Sequence, residues 1–248
     1  MKALILAAGY ARRLYPITKE YPKPLLLVGG CHLIDYIVEK LEKIKKIDEI
    51  LLVTNKKFFS QFMQWKKKIK CSKAVKLIND STETYRTRLG AIGDINFVIK
   101  KKDLKDDLLV IGGDNLFDAD LGEFISYASK NGPYASVGLY DIKEKAKASH
   151  YGVAHINRER QIVGFEEKPL KPKSSLVAMC LYYFPKERLS LISEYLNCED
   201  KKHDATGFYI NWLHKKTKVF AFVFNGRWYD IGQPDFYKKA KKAFEEQA

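Results

Sequence analysis

Four short apolar runs, separated by stretches of helical periodicity, constrain this fold more than any other feature of the chain. The runs are Lys2 to Ala7, Glu49 to Thr54, Ala74 to Ile78 and Leu108 to Gly112. The first is apolar almost throughout, as expected for a central strand covered on both faces. Leu33, Ile34, Ile37, Val38 and Leu41 then recur at helical spacing and predict a helix over 32–46. Phe58, Phe59, Phe62, Met63 and Trp65 predict a second helix, and Leu89 to Ile99 a third. Strands that alternate with helices in this way imply right-handed βαβ units, so the expected class is α/β with a doubly wound, mostly parallel sheet.

The second half changes character. A helix over 121–131 precedes a strand over 134–140 and β-like runs at Gly152–Ile156, Gln161–Glu167 and Leu176–Phe184. Helices near 186–197 and 205–215, a strand Val219–Phe224 and an amphipathic helix over 234–246 follow. The mixture predicts strands that extend the sheet, making it mixed, and a small β-rich substrate lobe. No linker composition separates the halves 1–120 and 121–248, so residues 1–248 read as a single domain.

Composition excludes more than it assigns. The net charge is +14 over 248 residues, but its lysines spread over helix faces such as Lys40–Lys46. That pattern is first a solvated surface, and second an attraction for phosphorylated small molecules. No basic stripe interleaved with aromatics and no nucleic-acid-binding motif occurs, so nucleic acid is not an expected partner. Cys31, Cys71, Cys180 and Cys198 are far apart and the five histidines have no metal-ligand spacing, which predicts free thiols in a reducing compartment. The apolar start is too short for a signal peptide, and no stretch approaches the ~20 residues of a membrane span. The expected location is cytoplasmic, with no membrane partner.

Ligands of open parallel sheets sit at the carboxyl ends of the strands, and four polar constellations fall at such ends. The first is Leu6-Ala7-Ala8-Gly9-Tyr10-Ala11-Arg12-Arg13, followed by Pro22-Lys23-Pro24. Its backbone N–H groups can face phosphate oxygens while Arg13 and Lys23 neutralise charge. It matches neither G-x-x-x-x-G-K-[ST] nor G-x-G-x-x-G, which disfavours a P-loop ATPase or a dinucleotide dehydrogenase. The second is Gly112-Gly113-Asp114-Asn115, which suits a ligand-contacting acid or an ordinary turn. The third is Phe165-Glu166-Glu167-Lys168-Pro169, where alternation points the two acids to opposite faces of a strand. The fourth, Arg227-Trp228-Tyr229-Asp230-Ile231-Gly232, is expected to place an acid at the end of the strand begun at Val219. Two carboxylates from different strands suit Mg²⁺, which takes few carboxylates plus phosphate oxygens.

Residues 4–28, LILAAGYARRLYPITKEYPKPLLLV, resemble the signature of the sugar-phosphate nucleotidyltransferases, the sugar-nucleotide pyrophosphorylases. GGDN at 112–115, YGV at 151–153, EEKP at 166–169 and WYDIG at 228–232 extend the resemblance, in order, over nearly the whole chain. The resemblance implies a Rossmann-like fold and Mg²⁺-dependent transfer from a nucleoside triphosphate to a sugar 1-phosphate. It implies Arg13 and Lys23 as catalytic cations and Asp114 and Asp230 as metal ligands. Leu6 to Arg12, Gly90 and Gly113 would meet the nucleotide, in residues 1–120. Asn115, Gly152, Glu167, Lys168 and Ala178 would meet the sugar phosphate, mostly in residues 121–248.

The chain departs from the commonest first motif, G-x-G-[TS]-R-L. Ala11 stands at its second glycine, where a negative φ would still let it approach phosphate, and Arg12 stands at its hydroxyl residue. Gly29-Gly30-Cys31-His32 replaces a G-x-P segment, and Ala178-Met179-Cys180 stands where a Thr-Gly pair is common. Arg88–Gly93 replaces a Gln- or Gly-rich base-recognition loop, so the base is unassigned. Two other functions are compatible with the sequence. One is a cytidylyltransferase for a non-sugar phosphate such as phosphocholine, with an aromatic cage drawn from Tyr182, Tyr183, Trp212, Trp228 and Tyr229. The other is a catalytically silent nucleotide-binding regulatory module. The few residues after Gly232 lack β-helix repeats and leave little room for an appended oligomerisation domain; the oligomeric state is not specified.

Overall fold

The structure is a computed structural model that describes residues 1–198, 205–232 and 234–245, without the side chains of Asp230 and Glu245. Its contacts group into two units. The first comprises Met1–Leu89, Ile111–Asp118 and Gly226–Ala248; the second comprises Gly90–Val110 and Ala119–Asn225. The architecture is α/β, as expected.

The first unit is built on three parallel strands, Lys2–Leu6, Glu49–Thr54 and Ala74–Asn79. Leu4 pairs with Leu51 and Leu52 with Leu77, and residues from Ala3 to Ile5 and Ile50 to Val53 are fully buried. The helix Leu33–Glu42 buries all five of its periodic apolar residues. Asp35 fixes its start by accepting from the backbone N–H of His32 at 2.9 Å. It ends before the expected residue 46, because Ile44 and Ile47 close tighter turns onto Leu41 and Ile44 and thereby bury Ile47. The second helix spans Phe59–Lys68 and buries Phe62 and Trp65.

The segment 8–30 is partly structured. It contains 3-10 turns at Arg12–Leu14 and Lys23–Leu25 and ends in a hairpin of Leu27–Val28 with Cys31–His32. Gly29 and Gly30 both take positive φ, as a two-residue hairpin turn of this twist requires. The strand Leu108–Gly112 runs from the second unit into the first and is followed by Asn115–Phe117. The latter pairs antiparallel with Trp228–Asp230, Asp230 opposite Asn115. This corrects one expectation: Asp230 does not terminate the strand Val219–Phe224. Gly226, at φ +94°, turns the chain, and a separate strand carries the acid.

In the second unit Leu176–Phe184 pairs antiparallel with Ala135–Asp141 on one side and, through Val177 and Val153, with Gly152–Ile156 on the other. Gly152–Ile156 in turn pairs with Ile162–Glu167, and Val219–Phe224 lies parallel to Ala135–Asp141. Helices Gly90–Lys102, Leu121–Lys130, Ser190–Leu196 and Thr206–Lys216 complete it. Among the described residues no helix is long and apolar enough to cross a membrane, and none of the four cysteines is in a disulfide.

Candidate active site

In the first unit the loop that leaves the strand Lys2–Leu6 is held under close control. The buried Asn55 donates from Nδ2 to the Ala8 carbonyl at 2.9 Å and accepts from the Phe58 N–H at 3.0 Å. Tying down that carbonyl fixes the plane of the Ala8–Gly9 peptide. A side-chain carbon built on Gly9 would meet nothing within 4 Å, so open space lies against this backbone. Gly113 is the opposite case. Its N–H donates to Leu6 O at 2.9 Å, and a Cβ there would lie 2.9 Å from the same oxygen and 3.0 Å from Pro24 Cγ.

This close approach brings the loop and the acidic strand end together. Lys23 Nζ donates to Asp114 Oδ2 at 2.5 Å, with the lysine side chain 11% and the aspartate 35% exposed. The next residue, Asn115, is buried, and its Oδ1 accepts from Trp228 Nε1 at 2.8 Å. Asp118 accepts from the Arg227 N–H at 2.8 Å and from its Nε at 3.0 Å, which holds the paired strands in register. Asp230 has its backbone opposite Asn115, while its side chain lies outside the description.

Ala11 differs from its expected conformation. Its φ is +44° and ψ 40°, a left-handed geometry, whereas phosphate approach by an alanine was expected to need negative φ. The Ala11 carbonyl accepts from Leu14 N at 3.0 Å and from Thr18 Oγ1 at 2.8 Å, two bonds that hold the residue there. Arg12 and Arg13 follow on an exposed 3-10 turn, and the Arg12 guanidinium lies 4.7 Å from the Tyr85 ring centroid.

One hydrophobic cluster lies beneath all of these groups. It contains Leu14, Leu26, Val28, Leu33, Leu116, Ile231 and Ala240, with Tyr36, Tyr229, Tyr237 and Phe244 packed against it. Leu14 follows Arg13, Leu26 lies one turn beyond Lys23, Leu116 follows Asn115, and Ile231 follows Asp230. Two 3-10 turns and two paired strands, each carrying a polar candidate residue, are thus anchored in one core, which the helix Pro234–Glu245 helps to close through Ala240, Tyr237 and Phe244.

The second unit gathers a separate set. Glu167 ends the strand Ile162–Glu167, directed inward while Glu166 is exposed. Its carboxylate lies over Gly152 and against Gly207, where a Cβ would overlap Oε2. Gly207 lies in the first turn of the helix Thr206–Lys216, whose amino-terminal dipole favours a nearby carboxylate. Lys168 Nζ lies 3.5 Å from Glu167 Oε1, and Lys168 takes positive φ with its N–H donating to Tyr151 O at 2.9 Å. Tyr182 and Thr206 share a hydroxyl hydrogen bond of 2.6 Å. Burial, reinforced by Cys180 and opposed by the Thr206 bond, pushes the Tyr182 phenol well above its ordinary value, so it stays protonated. Ala178 borders an irregularity in its strand at which Cys180 adopts φ +52°. Gly90, at φ +76°, opens the helix Gly90–Lys102.

Asn115 therefore lies in the first unit with Asp114, whereas Gly152, Glu167, Lys168 and Ala178 lie in the second. Asn55, Tyr85, Thr206 and Gly207 escaped the sequence reading. Asn55 directly follows a strand end, a position that could have flagged it.

The sequence profile of the nucleotidyl transferase family matches residues 2–247. The bifunctional protein GlmU of Methanocaldococcus jannaschii is 33% identical over 236 residues, which are 94% of this chain and 52% of the relative. This chain thus spans about half the length of that relative. A Bacillus anthracis protein described as a glucose-1-phosphate thymidylyltransferase, crystallised with sucrose, is similar at a TM-score of 0.80 and 26% identity, covering 99% of this chain and 96% of its own. A UDP-glucose pyrophosphorylase complexed with UDP-glucose gives a TM-score of 0.82 at 21% identity, covering 100% and 99%, and bears on the fold alone. A profile that runs through every strand end described above leaves one assignment: the chain belongs to the nucleotidyl transferase family.

Proposed function

We propose that this chain transfers a nucleotidyl group from a nucleoside triphosphate to a sugar 1-phosphate, with Mg²⁺, yielding a nucleotide sugar and pyrophosphate. The observation that carries the reading is the Lys23–Asp114 pair, which joins the phosphate-facing loop to the acidic strand end. The acceptor's phosphate oxygen attacks the α-phosphorus, the bond to the β-phosphate bridging oxygen breaks, and pyrophosphate leaves. The nucleophile is already anionic, so the protein's work is positioning and charge neutralisation.

The loop backbone around Gly9 would receive the triphosphate, with Arg13 on the leaving phosphates and Lys23 near the α-phosphate. Lys168 would hold the acceptor phosphate, and Glu167 would accept hydrogen bonds from sugar hydroxyls. Asp114 and Asp230 would hold the metal. Their fit rests on register: Asp230 is opposite Asn115, so the two acids are one residue apart across a strand pair. One or two carboxylates completed by phosphate oxygens is a set that Mg²⁺ accepts, and the bound ion would neutralise triphosphate charge. A cytoplasmic setting, which supplies nucleoside triphosphates and keeps the four thiols reduced, accompanies this reading.

No observation favours a choline cage. Tyr182 stacks on Phe184, Trp212 stacks on Tyr209, Tyr183 donates to Asp107, Trp228 donates to Asn115 and Tyr229 packs on Phe244. Pyrophosphate release should be measured for five nucleoside triphosphates against a panel of sugar 1-phosphates and phosphocholine. Release with a sugar 1-phosphate, abolished by chelation of divalent ions, is expected. Release with phosphocholine alone, or none despite nucleotide binding, overturns the proposal.

A further inference from the structure

The Tyr85 ring collects two guanidinium groups. Arg12 lies 4.7 Å and Arg88 3.6 Å from its centroid, and Arg88 Nη1 also donates to the Tyr85 carbonyl at 2.5 Å. Tyr10, buried in the phosphate-facing loop, meets the same ring edge-on, with centroids 6.4 Å apart at 82°. Tyr85 is itself 40% exposed and rides near the tip of the segment 80–89.

The base of that segment is rigid. Asp80 and Thr82 are buried, Thr82 donates to Asp80 through both N and Oγ1, and Lys56 N donates to Thr82 O. The tip is exposed from Glu83 to Thr87 and is braced by hydrogen bonds between Thr84 and Thr87. Tyr85 thus connects an exposed tip to the loop that carries Arg12 and Arg13.

We propose that Arg12 is a positioning residue: through the Tyr85 ring it fastens the segment 80–89 to the phosphate-facing loop, and it keeps that contact when nucleotide binds. Planar guanidinium groups stack on aromatic faces, which a serine or threonine at this position could not do. The substitution of Arg12 for a hydroxyl residue and the presence of Tyr85 are then one device rather than two departures. Fastening the segment shapes the nucleotide's surroundings before binding and so tightens affinity. This last consequence rests on the proposed function; the fastening itself does not.

The test compares Arg12→Ser, Tyr85→Leu, Tyr85→Phe and the double variant Arg12→Ser/Tyr85→Leu. Tryptic cleavage after the exposed Arg86 reports segment opening without any ligand. Calorimetry with the magnesium complexes of ATP, CTP, GTP, UTP and dTTP reports affinity. Arg12→Ser and Tyr85→Leu should each speed cleavage and weaken the tightest nucleotide about two- to fivefold, the range of one exposed cation–π contact. The double variant should match the singles, and Tyr85→Phe should behave as wild type. Weakened binding in Arg12→Ser with no change in Tyr85→Leu would make Arg12 a phosphate ligand and overturn the proposal, as would unchanged cleavage in both. If no nucleotide binds but cleavage follows the expected pattern, the fastening stands and the proposed function falls.

Discussion

Asn55 Nδ2 donates to the Ala8 carbonyl at 2.9 Å, from a side chain with no solvent exposure. The bond crosses from the end of one parallel strand to the loop that leaves its neighbour. Replacing Asn55 by alanine removes the donor and leaves a buried carbonyl unpaired. The expected loss of stability is about 1–3 kcal/mol, read from urea denaturation. Nucleotide affinity should fall with it, because the Ala8–Gly9 peptide loses its fixed orientation. An Asn55→Ala variant of unchanged stability would show that water or a loop shift replaces the bond.

Lys23 and Asp114 should be far more important for turnover than for folding. Their pair is partly exposed, so breaking it leaves either partner access to water. Lys23→Ala or Asp114→Ala should lower kcat by about 10²–10³-fold, as for a group aimed at transition-state charge. The midpoint of thermal unfolding should move little. Near-normal pyrophosphate release in either variant would remove both residues from the proposed machinery.

Three glycine-to-alanine changes should separate packing from ligand space. Gly113→Ala drives a methyl onto Leu6 O and Pro24, and should cost about 1–3 kcal/mol of stability. Gly9→Ala meets open space, so stability should hold while nucleotide affinity drops. Gly207→Ala displaces the Glu167 carboxylate and should raise the KM of the sugar phosphate about tenfold, a change of about 1.4 kcal/mol. Equal effects of Gly9→Ala and Gly113→Ala on folding would contradict the assignment of open space at Gly9.

Much of the framework was legible because apolar runs stand out from their polar surroundings. Glu49–Thr54, Leu108–Gly112, Gly152–Ile156, Leu176–Phe184 and Val219–Phe224 form strands with the expected bounds. The strands Asn115–Phe117 and Trp228–Asp230 were not legible, since three residues carry no periodicity and their pairing spans over a hundred positions. Individual polar residues stood out by motif, but their partners did not. Lys23 gives no sign of its distance to Asp114, and Asn55 is an ordinary residue until its neighbour's carbonyl is seen. The sign of φ at Ala11 was likewise invisible, because alanine rarely adopts the left-handed region.

That conformation gives a stabilising prediction. At φ +44° an alanine carries a steric cost that glycine avoids, and the two hydrogen bonds on its carbonyl do not depend on Cβ. Ala11→Gly should gain up to about 1 kcal/mol, part of the relief being offset by the greater freedom of glycine in the unfolded chain. The unfolding midpoint should rise without loss of activity. A fall in stability would mean that the Ala11 methyl makes contacts worth more than its strain.

The last prediction concerns the cluster that underlies Arg13, Lys23, Asn115 and Asp230. Phe244 packs on Tyr36 and Tyr229 with centroids 5.3 and 5.9 Å away, and Tyr237 donates from its hydroxyl to Leu27 O at 2.9 Å. Phe244→Ala should cost about 2–4 kcal/mol, somewhat less than the ~3–5 kcal/mol of a fully buried ring because Phe244 is only partly buried. Tyr237→Phe should cost about 0.5–1.5 kcal/mol, the value of one hydrogen bond. Because Leu14, Leu26, Leu116 and Ile231 share this core, loosening it moves Arg13, Lys23, Asn115 and Asp230 together. Activity should therefore fall more than in an equally destabilised variant of the second unit, such as Phe222→Ala, assayed where both are folded. Phe222 packs against Phe124 and Phe224 and is not part of this cluster, so it controls for stability alone. Equal loss of kcat in the two variants would show that the cluster supports the fold without setting the geometry of the site.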